Sequence, residues 1–345
     1  MRGGLDVPRI RVPVANNATE LTGELLSMPA AHAVRVIASA RADAVKVAQQ
    51  RFVDGQASGL HDVRVAVRRL RSWLRAYAPY VDDTVRGKTR RRLKRLAKWT
   101  NDARDAEVGL AWILSQHDLT ARERPGSLYL QQRLERALDE SVSRARAKYE
   151  ERMPRVVQRL NQQLRTYWLE QDVDDPRPAT RMTVAVRDVL ALHAEAVSQR
   201  LTGIESATDA DGIHRARISV KRLRYVLEPL GSFTMVPVLL PQLSALQALL
   251  GAAHDARRAV DRWLDELVGA AAADARTLAL RAIDRDAADD AERPPFARLR
   301  PGLTTLLRRA NEEESTAYNR FRRRWRKSAI ARLVGAVNGI AESMA

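Results

Sequence analysis

A segment with the pattern of an amphipathic helix occurs twice in the chain, and this repeat constrains the fold more than any other feature. Residues 61–77 read HDVRVAVRRLRSWLRAY and residues 214–230 read HRARISVKRLRYVLEPL, with seven of the 17 aligned positions identical. A second correspondence follows in the same order, where Asp105 and Ala106 match Asp255 and Ala256. Such ordered matches predict that a unit of several helices is duplicated and that the two copies pack about a pseudo-twofold axis.

The rest of the chain also has a helical pattern. Ala, Leu, Arg and Glu dominate, apolar residues recur at steps of three and four, and alternating strand-like runs are lacking. We therefore predict an all-α fold in which two similar helical bundles face each other. The acidic, proline-bearing residues 171–180 predict the boundary between a first half at about 29–170 and a second half at about 181–342. Residues 1–28 have no helical period and are expected to form a flexible arm or a peripheral strand-like segment.

The repeated segment has a basic stripe along one side of its helix. At about 100° per residue, basic side chains fall within one sector and apolar side chains occupy the opposite side. The stripe consists of His61, Arg64, Arg68, Arg71 and Arg75 in the first copy, and of His214, Arg217, Lys221 and Arg224 in the second. The expected core face consists of Ala66, Val67, Leu70, Trp73, Leu74 and Tyr77, and of Leu223, Val226, Leu227 and Leu230. Glu228 replaces Arg75, so the second stripe is shorter by one cation.

The positive charge of the chain is concentrated in a few windows. Of 59 Lys and Arg residues, 24 lie in residues 61–75, 86–98, 214–228 and 320–327, which contain two acidic residues, and the net charge is +17. A localised surplus of this size favours a polyanionic ligand, namely nucleic acid, an anionic membrane or a phosphate polymer. The alternative is that the cations lie on solvated helix faces or pair with acids of neighbouring helices. The candidate acids are Asp102, Asp105, Glu107, Asp255 and Asp261.

Several classes of protein are disfavoured by what the sequence lacks. It has no cysteine, and its six histidines are scattered, so we predict no disulfide, no metal site and no cofactor. Isolated acidic groups such as Asp102 with Asp105, or Glu312 to Glu314, have no P-loop or nucleophile motif beside them, so we predict no enzymatic activity. The most apolar window, 235–250, is cut by two prolines, and the N-terminus lacks the apolar stretch of a signal peptide. We expect a soluble cytoplasmic protein without membrane contact.

The two His-centred segments, together with the elements ARDAEV and AHDARR that follow them, closely resemble the CHAD domain, the conserved histidine α-helical domain. The resemblance covers roughly residues 28–340. It implies two related antiparallel helical bundles around a basic central groove or pore that binds inorganic polyphosphate, with phosphate or sulfate ions as mimics, and an association with polyphosphate granules. The phosphate-binding residues that it implies are His61, Arg64, Arg68, Arg69, Arg71, His214, Arg217, Lys221, Arg222 and Arg224.

Some positions are left open by the sequence. Arg69 and Arg222 belong to the motif, but the helical wheel puts them off the stripe. The second downstream element has His254 where the first has Arg104, which weakens that position as a phosphate contact. A candidate extension of the site, for which a solvated surface is an equal alternative, consists of Arg91, Lys94, Arg95, Lys98, Arg322, Arg323 and Arg326. The alternative function is nonspecific nucleic-acid binding, although Trp73 and Tyr77 lie on the core face and offer no stacking platform.

Overall fold

The computed structural model describes residues 19–169, 179–283, 294 and 296–344, and these form an all-α fold, as predicted. No strand occurs in these ranges, where the sole β-type pairing is an isolated bridge between Pro29 and Arg181. The helices are α1 (Gly23–Ser27), α2 (Ala30–Val53), α3 (Gly59–Ala76), α4 (Gly87–Trp99), α5 (Asn101–Leu114), α6 (Arg124–Leu169), α7 (Met182–Thr202), α8 (Ala210–Leu227), α9 (Val236–Ile283), α10 (Arg300–Arg324) and α11 (Lys327–Glu342).

The order of elements is similar in the two halves of the chain. In each half a long helix precedes the helix with the basic stripe, and a 3₁₀ turn follows it, at Ala78–Tyr80 and at Glu228–Leu230. The halves differ at the next element, because α4 and α5 are separated at Thr100 whereas α9 continues through the corresponding position. The two striped helices, α3 and α8, contact each other directly. This contact brings the two copies of the basic segment to the same part of the molecule.

Two glycines set the start of α3 and therefore the place of its first stripe residue. Gly55 has a φ of +76°, which residues with a side chain rarely adopt, so it reverses the chain after α2. A Cβ on Gly59 would lie 2.7 Å from the Cα of Phe52, so only glycine lets α3 begin this close to α2. His61 consequently lies in the first turn of α3. The corresponding turn of α8 is capped differently, by the Asp209 carboxylate, which accepts a hydrogen bond of 2.8 Å from the Gly212 N–H.

The predicted core faces of α3 and α8 are buried in one hydrophobic core that both halves share. Leu70, Trp73 and Leu223 are fully inaccessible to solvent, and Ala66 is half-buried against the same core. A second, smaller core lies among α5, α6, α9 and α10 and is built around Trp263, Leu303 and other residues. Since residues of both halves contribute to each core, burial of apolar surface holds the halves together.

Buried and half-buried polar groups also join the two halves. Arg41 on α2 is 4% exposed and donates hydrogen bonds to the backbone oxygens of Arg69 (2.9 Å) and Tyr225 (3.4 Å). The Arg69 guanidinium in turn donates to both carboxylate oxygens of Glu228, at 2.7 and 3.2 Å. Glu228, the acid that shortens the second stripe, therefore pairs with a cation of the first half.

The last residues of the expected N-terminal arm are part of the packed structure. Residues 23–27 form α1, Leu21 and Leu26 are buried, and the Leu21 N–H donates to the Pro229 oxygen at 2.7 Å. The described part of this segment thus differs from a flexible or strand-like arm, because its leucines complete the shared core. Residues 1–18, to which the rest of that prediction applies, lie outside the described residues.

The apolar start of α9 differs from the sequence expectation in another way. In the described part of the chain, α9 is the one helix that is long and apolar enough to cross a membrane, with a mean hydropathy of 1.5 over an 18-residue window. Two prolines interrupt this apolar window in the sequence and argue against a continuous helix. The helix nevertheless contains both, Pro237 and Pro241, near its N-terminus. Of the window's residues, 39% are buried, among them Leu243 and Leu246 in the shared core.

Candidate anion-binding cleft

The two basic stripes line one cleft. The cleft has a volume of about 1080 Å³ and is bordered by α3, α4, α5, α8 and α9. Eight of the ten predicted site residues line it, namely His61, Arg64, Arg68, Arg71, His214, Arg217, Lys221 and Arg224. The structure therefore brings together side chains that are about 150 residues apart in sequence.

Arg64 and Arg217, which align in the repeat, contact the same place on the helix that follows. Arg64 donates to the Thr100 backbone oxygen and, at 2.7 Å, to its Oγ1, at the buried junction between α4 and α5. Arg217 lies over Gly251, with its Nε 3.4 Å from the point that a Cβ would occupy. Residue 251 corresponds to Asn101 at the offset of the downstream element. Each arginine is thus held by packing or by neutral acceptors, which leaves its charge available to an anion.

The cations in the cleft are close enough to affect one another. Burial, followed by the charges of Arg68 and Arg217, lowers the pKa of Lys221 to about 8. Burial and then Arg68 lower the pKa of Arg64 to about 10, and burial and then Arg75 lower that of Arg71. The effect of Arg68 on Lys221 crosses from the first half to the second. Like charges held this close raise the energy of the empty cleft, and a bound anion relieves the repulsion.

Acidic neighbours neutralise little of this charge. Three of the five acids that were candidate partners for the stripes form ion pairs with other cations. These pairs are Asp105 with Arg258 at 2.6 Å, Glu107 with Arg104 at 2.7 Å, and Asp261 with Arg257 at 2.7 Å. Of the eight stripe residues in the cleft, Arg224 alone makes an ion pair with a described residue, at 3.8 Å from Glu228. The charge of the stripes thus remains available at the surface of the cleft.

Besides the stripes, the lining of the cleft contains residues that were not predicted to belong to the site. Arg104 of α5 and His254, Arg258 and Arg262 of α9 line the cleft, together with the acids Asp105 and Asp255. The three α9 residues recur every four positions, which on a helix places them on one face. That spacing, together with the repeated Asp-Ala pair beside it, was the sequence signal for this part of the lining.

Two motif residues whose direction the sequence left open, Arg69 and Arg222, lie outside the cleft lining. Arg69 pairs with Glu228, as described above, and Arg222 is half-buried near His193. Both directly follow a stripe residue, Arg68 or Lys221, and successive residues of an α-helix point about 100° apart. The helix therefore directs these two side chains away from the cleft.

The candidate extension divides in a similar way. Lys94 and Lys98 of α4 line the cleft, whereas Arg91 and Arg95 do not. Arg322, Arg323 and Arg326 are exposed at the junction of α10 and α11, outside the cleft lining, while Phe321 and Trp325 between them are buried. The run at 320–327 thus forms a solvated surface around two core aromatics.

Three aromatic residues that were not anticipated border the cleft, namely Trp112, Tyr225 and Trp263, and the last two are buried. Trp112 lines the cleft, but its ring is stacked on that of Trp263, with centroids 5.9 Å apart and planes at 29°. Its indole N–H donates to the Glu313 carboxylate at 2.6 Å. Stacking and hydrogen bonding within the protein therefore occupy one face and the polar edge of this ring.

The described residues contain no group of three or more His, Asp or Glu side chains arranged to hold a metal ion. The cleft is lined by five acids, Asp105, Asp255, Asp261, Asp265 and Glu313, of which the first three interact with arginines. Burial raises the pKa of Asp255, while Arg217, Arg104 and Arg258 oppose that effect. Electrostatics at this site thus favours anions over divalent cations.

The chain is thus an all-α protein with a cleft that is lined by cations from two repeated helices. The chain belongs to the CHAD domain family, whose match covers residues 36–264. CHAD domains are in general binding domains rather than catalytic ones.

Two solved structures have a similar fold. The CHAD domain from the plant Ricinus communis is 22% identical, with a TM-score of 0.63 over 85% of this chain and 97% of that one. PptA from Streptomyces chartreusis is 16% identical, with a TM-score of 0.60 over 86% of this chain and 99% of that one. No curated protein matches the sequence.

Proposed function

We propose that the protein binds inorganic polyphosphate in the cleft, without catalysis, through His61, Arg64, Arg68, Arg71, His214, Arg217, Lys221 and Arg224. The observation that carries the proposal is the convergence of two cationic stripes that neighbouring acids leave almost unpaired. Membership of a family that associates with polyphosphate supports the same ligand. Lys94 and Lys98 extend the binding surface along α4.

The spacing and chemistry of the stripes suit a linear phosphate chain. Stripe positions three or four residues apart are about 4.5–6 Å apart along a helix axis, which gives one cation for every one or two phosphate groups. Arginine predominates, and its guanidinium donates two parallel hydrogen bonds to the oxygens of one phosphate. A polyphosphate chain has no bases, so its recognition requires little beyond such cations. We further propose that this affinity places the protein at polyphosphate granules in the cytoplasm.

Nucleic acid is the second candidate ligand, because a cationic surface also attracts the negatively charged phosphodiester backbone of DNA or RNA. A duplex carries its phosphates on the outside of a wide, rigid rod, whereas a flexible phosphate chain can enter a concave cleft. We therefore expect long-chain polyphosphate to displace labelled duplex DNA at a matched salt concentration, and DNA to displace labelled polyphosphate poorly. Fluorescence anisotropy of the labelled ligand measures both displacement reactions.

Phosphate and sulfate ions serve as controls in that competition. At the same ionic strength they should displace polyphosphate only weakly, because each occupies a few of the cations that a chain contacts together. Displacement of polyphosphate by duplex DNA at equal phosphate concentration would instead support the nucleic-acid function.

The affinity for polyphosphate should fall as the pH rises through about 8. The pKa of Lys221 is lowered to about 8 in the free protein, so binding at a higher pH requires this side chain to take up a proton. The stability of the complex is thus complete below that pKa and decreases above it. We expect roughly three- to tenfold weaker binding at about pH 9 than at about pH 7.5, measured by titration calorimetry.

The matched control is Lys221→Arg, which retains a positive charge over this pH range. Its affinity should be nearly constant between the two pH values. An equal loss in Lys221→Arg would show that another group causes the pH dependence.

A further inference from the structure

Two histidines from different helices are stacked in the cleft. The rings of His214 on α8 and His254 on α9 have centroids 4.7 Å apart and planes at 40°. Both line the cleft, and the Nδ1 of His214 is buried without a hydrogen-bond partner among the described residues. An unpaired buried nitrogen is costly, so this atom favours a partner that arrives from the cleft.

Charged groups from three helices surround the pair. From α8 come Arg217, Lys221 and Asp211, from α9 comes Arg258, and from α5 comes Asp105. Cations outnumber acids, and Asp105 is itself paired with Arg258. Protonation of either imidazole therefore adds a positive charge where positive charge is already concentrated.

Both imidazoles are consequently neutral near pH 7 while the cleft is empty. Burial, followed by Arg217 and His214, lowers the pKa of His254 to about 4. Burial, followed by Arg217 and Lys221, lowers the pKa of His214. A phosphate group beside the pair reverses the balance, because its negative charge stabilises the imidazolium form.

Only the second half of the repeat has a histidine at the position of His254. Arg104 occupies the position in the first half that His254 occupies in the second. Arg104 is always charged and pairs with Glu107 at 2.7 Å. The second half thus has a titratable group where the first has a permanent cation, so the two halves differ in their response to pH.

We infer that His214 and His254 form a proton-dependent phosphate subsite, in which the arrival of a phosphate group causes one imidazole nitrogen to take up a proton from solvent. No covalent bond changes, and the proton returns to solvent when the ligand leaves. The inference rests on the proposed function and adds His254 to the binding residues. Its consequence is that polyphosphate binds more tightly as the medium becomes more acidic.

The experiment measures the affinity for long-chain polyphosphate and the protons taken up on binding, by calorimetry in buffers with different heats of ionisation. The wild-type chain should bind roughly three- to tenfold more tightly at about pH 5.5 than at about pH 7.5, with net proton uptake. His254→Gln and His214→Gln should each reduce that ratio and the uptake. His254→Arg restores the cation of the first half, so it should bind tightly at both pH values without uptake from this site.

Two control variants separate the histidine pair from other titrating groups. His193 is buried near Arg222 outside the cleft, and its pKa is also lowered to about 4, so His193→Gln should leave the pH response unchanged. Asp255→Asn removes the carboxyl group whose raised pKa is the nearest alternative source of proton uptake, and the response should persist. Thermal unfolding followed by circular dichroism checks that each variant folds.

The outcomes distinguish this inference from the proposed function. Tight binding of polyphosphate with the same pH response in His254→Gln, His214→Gln and wild type overturns the inference and leaves the function standing. Loss of the response in Asp255→Asn also overturns it and assigns the proton to the carboxyl group. Absence of binding at either pH overturns the proposed function, and the inference with it.

Discussion

Arg64→Glu combined with Arg217→Glu is expected to weaken polyphosphate binding at least about 100-fold and to leave the helical content unchanged. The two arginines occupy equivalent positions in the two halves, and both line the cleft. Reversal removes two cations and adds two carboxylates that repel the phosphate chain. Neither residue belongs to the hydrophobic core, and the contacts of Arg64 with Thr100 are with neutral oxygens, so the fold should persist. Titration calorimetry measures the affinity and circular dichroism the fold.

The matched control for this variant is Arg155→Glu combined with Arg159→Glu. These arginines are exposed on α6 and lie outside the cleft lining, and their reversal changes the net charge by the same amount. The control should bind within about threefold of wild type at moderate salt, because charges farther away than the Debye length are screened. Equal losses in the two variants would show that net charge, and not the cleft, determines the affinity.

The salt dependence of binding provides a second measure of the same site. Each phosphate neutralised by Arg or Lys releases counterions, so the logarithm of the binding constant should fall linearly with the logarithm of the salt concentration. The slope should become shallower in the cleft variant, in which fewer ion pairs form. It should remain that of wild type in the α6 control.

Leu70→Asp is expected to unfold the protein, and Leu223→Asp should do the same from the other half. Both leucines are fully inaccessible to solvent in the core that the halves share. Loss of a buried leucine side chain costs about 2–5 kcal/mol, and an unpaired buried carboxylate costs several kcal/mol more. Together these approach the free energy of unfolding of a typical domain, about 5–15 kcal/mol. Circular dichroism and the melting temperature report the loss.

The exposed Leu192 on α7 provides the control for this substitution, since its side chain is 66% accessible. Leu192→Asp should change the melting temperature little, because a surface substitution alters the free energy of unfolding by about 0.5 kcal/mol or less. A folded Leu70→Asp protein with wild-type stability would show that the face of α3 opposite the stripe does not pack in the core.

Much of the site was predictable because it lies on one helix type that occurs twice. The period of 3.6 residues separates Arg64, Arg68 and Arg71 from Leu70 and Trp73 on the wheel. In the structure the first group lines the cleft and the second is buried. The same period explains why Arg69 and Arg222, though part of the motif, point elsewhere. A match to a sequence motif does not show in which direction a side chain points, whereas its angle on the helical wheel does.

The part of the cleft formed by α9 could not be predicted from the sequence in the same way. His254, Arg258 and Arg262 are correctly spaced for one face of α9, but a single helix does not show which other helix that face meets. The partners of the acids were also undetermined. Asp105 was a candidate to neutralise the stripe, yet in the structure it pairs with Arg258 of α9.

The sequence by itself determined the helical fold, the repeat and the side of each repeated helix that is basic, because these follow from local periodicity and composition. The tertiary structure alone decided that α3 and α8 direct their stripes into the same cleft, that Glu228 pairs with Arg69, and that His214 lies against His254. These are contacts between residues far apart in the chain. They depend on how the helices pack around a shared core, which no local pattern of residues specifies.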